Sequence, residues 1–154
     1  MAVRLDEPTI GSMWTNARAR LKDGKEADHE KALCVYLNST IGVLSMLGSF
    51  KRMGLLFRLE STETDLLGLP VPDFVKIDGA LEGLAAAFDE LGECELSPLP
   101  ESGNCSVRRA IDRAVCEALD ISEELIHRIR SHLVREPSIT GKRYQIEEGQ
   151  LPLL

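Results

Sequence analysis

A long apolar run, Lys31-Ala-Leu-Cys-Val-Tyr-Leu-Asn-Ser-Thr-Ile-Gly-Val-Leu-Ser-Met-Leu47, is interrupted by one polar triplet, Asn38-Ser39-Thr40. Amide and hydroxyl groups inside an apolar helix cost free energy unless something receives them. The triplet therefore predicts internal hydrogen bonds that fix a helix end or a helix–strand junction. Asn38 and Ser39 are read as structural polar residues that tie the run to an adjacent segment. Asp28 suits an N-cap and Glu30 a first helical turn, so one helix is expected from there to about Leu47, with Gly48 as its stop. It is apolar on nearly every side, which makes it central and buried.

The remaining pattern is mostly helical. Ile77, Leu81, Leu84, Phe88 and Leu91 recur at helical spacing over residues 77–92, ending at Gly92. A further helix carries Val107, Ile111, Ala114, Val115, Ala118 and Leu119. The next carries Leu125, Ile126, Ile129 and Leu133, with Asp120 or Ser122 as its cap. Gly54-Leu-Leu-Phe-Arg-Leu-Glu60 reads as a short strand. Two prolines force Leu69-Pro-Val-Pro-Asp73 to be extended. The expected class is α+β: a helix-dominated single domain with one or a few short strands. An irregular segment (1–27) precedes a helical core (28–137) that holds the strand near 54–60 and a turn-rich linker near 95–105, and a tail (138–154) comes last.

The net charge of −7 opposes polyanion binding when taken whole. It is unevenly spread. Residues 1–60 carry 9 Lys/Arg against 7 Asp/Glu, residues 61–103 carry 1 against 10, and residues 104–154 carry 8 against 8. The acidity belongs to the middle, which leaves room for a local basic face elsewhere. Aromatic residues make up only 5%, which argues against a stacking platform for single-stranded nucleic acid. None of the four cysteines forms a C-x-x-C pair. Cys34 and Cys116 read as small buried hydrophobes. Cys94 and Cys105 flank a loop, but no secretion signal supports a disulfide between them. The broken apolar run predicts no membrane span, and cytoplasm is the expected compartment.

No catalytic constellation stands out. His127 and His132 are five apart, a spacing that separates them on a helix, and all three histidines, with His29, read as surface residues. The motifs G-x-S-x-G, Walker loop, G-x-G-x-x-G and H-E-x-x-H do not occur. Asp112 and Glu117 share a helix with Arg108, Arg109 and Arg113, which predicts ordinary surface ion pairs. No metal or cofactor is expected.

Three segments in order resemble one family. Gly11-Ser-Met-Trp14 is similar to a Gly-Gly-x-Ala-Trp-type element. Lys31 to Leu44 resembles a helix marked by Leu-Asn-Ser, and Leu66-Leu-Gly-Leu-Pro-Val-Pro-Asp73 is similar to the leucine and Pro-x-Pro segment that comes after it. Arg109 to Leu119 and Leu125 to Ser138 look like the closing helices. The family is that of adenine-specific DNA methyltransferases of restriction-modification and phage-defence systems, and the similar part is their C-terminal, target-recognition region.

The resemblance implies a piece that contacts DNA without transferring methyl groups. The family's Asn/Asp-Pro-Pro-Tyr/Phe tetrapeptide and Gly-rich cofactor site have no counterpart here, since Val71 separates Pro70 from Pro72. Recognition needs cations for phosphate contact. Lys51, Arg52 and Arg58, with Arg18, Arg20, Lys22 and Lys25, are the candidates. DNA, a methyltransferase catalytic subunit or domain, and a second copy of the chain are the expected partners, and a membrane is not. A protein-interaction or oligomerisation module is the alternative, motivated by the acidic middle segment and the helical build.

Overall fold

A computed structural model describes residues 27–49, 51–53, 58–60, 68–97, 105–136 and 139. The expected single helix across the apolar run is two helices. α1 spans Ala27–Asn38 and α2 spans Thr40–Ser49, and they meet at Ser39 at an angle of 78°. The correction has a local cause. Ser39 leaves the helical path and caps α2, because its hydroxyl accepts the Gly42 N–H at 3.1 Å, the usual N-cap geometry. The same hydroxyl donates to the Tyr36 carbonyl at 2.6 Å, and the Ser39 N–H reaches that carbonyl at 3.0 Å. Gly42 is needed where α2 turns back against the end of α1. A Cβ there would stand 2.1 Å from the Tyr36 carbonyl oxygen.

The α+β expectation is overturned. The described body is 73% helical and contains five helices, so the chain is helix-dominated and not α+β. Two three-residue stretches, β1 (Lys51–Met53) and β2 (Arg58–Glu60), pair as an antiparallel backbone ribbon. The strand expected over 54–60 overlaps β2, and residues 54–57 lie outside the described residues. Such a ribbon offers no sheet face for helices to cover, and the buried cluster is drawn from helices and one 3-10 turn.

That turn, Phe74–Lys76, comes after the proline segment and drops Phe74 into the core. The helix expected from residue 77 starts three residues later, as α3 (Ala80–Leu91). Ile77 is extended and Gly79 sits at φ +70°, a left-handed conformation that favours glycine. α3 is amphipathic, and it ends where the Gly92 N–H bonds the Phe88 carbonyl. After it come α4 (Ser106–Leu119) and α5 (Glu123–Leu133). Asp120, at φ 52°, closes α4, with the Ile121 N–H on the Cys116 carbonyl at 2.9 Å.

α1 packs chiefly on α3, and α3 on α4; α2 and α4 both touch α5. The core joins Ala32, Val35 and Tyr36 of α1 to Phe74, Leu84, Ile111 and Val115. Leu84 is fully buried, and burial of a leucine of this kind contributes about 1.5–3 kcal/mol. The Tyr36 and Phe74 rings meet edge to face at 5.9 Å. The Tyr36 hydroxyl donates to the Pro70 carbonyl at 3.2 Å and accepts from Ser45 Oγ at 3.1 Å, so one side chain links α1, α2 and the proline segment. Leu125, counted in the apolar stripe of α5, is exposed. No single described helix is long and apolar enough to cross a membrane; α1 and α2 reach such a length only together, across their bend.

Candidate functional site

The densest polar constellation among the described residues lies at the elbow between α1 and α2. Helix ends leave N–H and C=O groups without intrahelical partners, and here both ends are buried. At the end of α1, the Cys34 carbonyl accepts from Asn38 Nδ2 at 3.0 Å. The Asn38 carbonyl accepts from Arg108 Nη1 at 3.3 Å. At the start of α2, the Thr40 N–H donates to Asp112 Oδ1 at 2.6 Å, and Thr40 Oγ1 donates to Asp112 Oδ2 at 2.7 Å. Arg130 of α5 pairs through Nη2 with the same Oδ2.

Asp112 thus corrects the surface-ion-pair expectation. It is only 4% exposed and binds three donor groups from two other helices. A carboxylate at a helix N-terminus is also favoured by the helix dipole. Arg108 is no free surface cation either, because its Nε donates to the Ser97 carbonyl at 2.7 Å while Nη1 serves Asn38. Burial lowers the Arg108 pKa; Cys105 and Asp112 oppose that, and Arg130 adds to it.

Both Asp112 oxygens are committed to donors, and the group is closed off from solvent. Its chemistry is that of a tie holding three helices. A general base would need an oxygen within reach of a substrate proton.

The four cysteines are free thiols. Burial raises the pKa of Cys116, and the charge of Asp112 adds to this. At the start of α4, burial would push the Cys105 thiol up. Hydrogen bonds from the backbone of Arg108, the backbone and hydroxyl of Ser97, and the backbone of Val107 outweigh it, and the net direction is down. Cys34, expected to be buried, is half-buried. His29 departs from its surface assignment: both ring nitrogens are buried and lack a hydrogen-bond partner among the described residues. His127 and His132 are exposed. No group of three or more His, Cys, Asp or Glu among the described residues is arranged to hold a metal ion.

The cations expected on DNA fall elsewhere. Lys51 and Arg52 lie on β1 and Arg58 on β2, with Lys51 opposite Glu60, Arg52 opposite Leu59 and Met53 opposite Arg58. Arg18, Arg20, Lys22 and Lys25 lie outside the described residues, as does the Gly11–Trp14 element. Asn38 and Ser39 stand at the elbow, where their polar groups are taken up by the bend itself.

Sequence reading missed Asp112 and Arg130 as partners, although a signal was present. Asp112 sits between Ile111 and Val115 on the apolar stripe of α4, and Arg130 lies between Ile126 and Leu133 on that of α5. Opposite charges on two facing apolar stripes are the mark of a buried pair. Comparison of the chain with protein-family models, with curated proteins and with solved structures gives no match.

Proposed function

We propose that this chain is a non-catalytic DNA-recognition or specificity module of the kind attached to DNA methyltransferases and restriction-modification systems. The observation that carries the reading is the antiparallel pairing of β1 with β2, which gathers Lys51, Arg52 and Arg58 into one six-residue ribbon with a single acid, Glu60. The major groove of B-DNA admits a two-stranded ribbon, and cations on it bind phosphate or guanine edges. The ordered resemblance of the 31–44 and 66–73 segments to methyltransferase recognition regions supports the same reading. In it, the helical body, clamped at Asp112, is the support, and the first strand of the ribbon begins two residues after α2 ends. The partner supplying methyl transfer is a separate domain or subunit.

The test is duplex binding across a salt series. Affinity should fall as salt rises, and the triple variant Lys51→Ala, Arg52→Ala, Arg58→Ala should flatten the slope of log affinity against log salt by about 3. Lys76→Ala, on the 3-10 turn, serves as the control and leaves the slope unchanged. Absence of binding to any duplex at low salt overturns the reading.

A second reading, a protein-interaction module, is favoured by one observation. Val71 and Val75, on either side of buried Phe74, are exposed, as are Leu44 and Leu125. Sedimentation of Val71→Asp/Val75→Asp beside the unaltered chain tests it: self-association that survives both changes removes this surface from consideration.

A further inference from the structure

We draw no further inference here: the strongest candidate, the Cys105 thiol at the start of α4, is a lone cysteine at a helix N-terminus, and no second feature among the described residues points to a ligand or reaction partner for it.

Discussion

The elbow between α1 and α2 and the middle of α3 solve the same problem by opposite means. Each must fix one helix against its neighbours inside a small core. α3 does it with Leu84, Ala85 and the half-buried Phe88 and Leu91, a non-directional apolar stripe. The elbow does it with directed bonds, because a 78° bend leaves two helix ends buried and their polar groups must be received. An apolar stripe tolerates sliding and repacking. The elbow fixes geometry, since Thr40 can meet both oxygens of Asp112 in only one arrangement of α2 against α4. Directed bonding is also more fragile: a lost methylene leaves a void, whereas a lost partner leaves a charge without compensation.

The largest effect is expected at Asp112. Asp112→Ala removes the acceptor for Thr40 and leaves the largely buried Arg130 side chain without its ion-pair partner, at a cost of about 3–5 kcal/mol, read by urea denaturation. Adding Arg130→Met should recover part of that loss, because the stranded charge is gone while the Thr40 N–H remains unpaired. If the double variant is no more stable than Asp112→Ala, the pair is not the coupled unit described.

Two glycines then sharpen the contrast by sign. Gly42→Ala should destabilise by about 3 kcal/mol, because the new Cβ drives into the Tyr36 carbonyl. Gly83→Ala, in α3, meets nothing within 4 Å and should stabilise by about 0.5–1 kcal/mol through helix propensity. Equal thermal shifts of the same sign would contradict the close approach at the elbow.

Back at the elbow, and smaller than the Gly42 effect, Thr40→Val keeps the shape and the backbone bond but removes the hydroxyl. The expected loss is about 1–3 kcal/mol in the same denaturation measurement, since one oxygen of a buried carboxylate loses a donor. The least effect is expected where α1 meets α3 through charge. Lys31 contacts Asp89 at 2.8 Å, but Asp89 is well exposed, so Lys31→Ala should cost no more than about 0.5–1 kcal/mol, and less at high salt.

Periodicity alone found α3, α4 and α5, because each presents one apolar stripe at helical spacing; most of the linker expected near 95–105 lies outside the described residues. The limits moved where backbone conformation intervened, as at Gly79, whose left-handed geometry delays α3 past Ile77. The α+β expectation failed for a different reason. Short apolar runs such as 54–60 satisfy a strand pattern, but three paired residues per strand make a ribbon and no layer. For the elbow, the triplet Asn38-Ser39-Thr40 announced that polar groups must be received. A linear pattern could not name Asp112, which lies 72 residues from Thr40, as the receiver.

The sequence by itself determined that this chain is helical, that its apolar run is interrupted by groups demanding partners, and that its negative charge is concentrated in residues 61–103. These rest on local chemistry: spacing along a helix, the cost of burying an unpaired dipole, and the count of charges. Only the tertiary structure decided that the run bends at Ser39 and that Asp112 and Arg130 close the bend. The partner of a buried polar group is set by which helices pack face to face, and that is a property of the whole core.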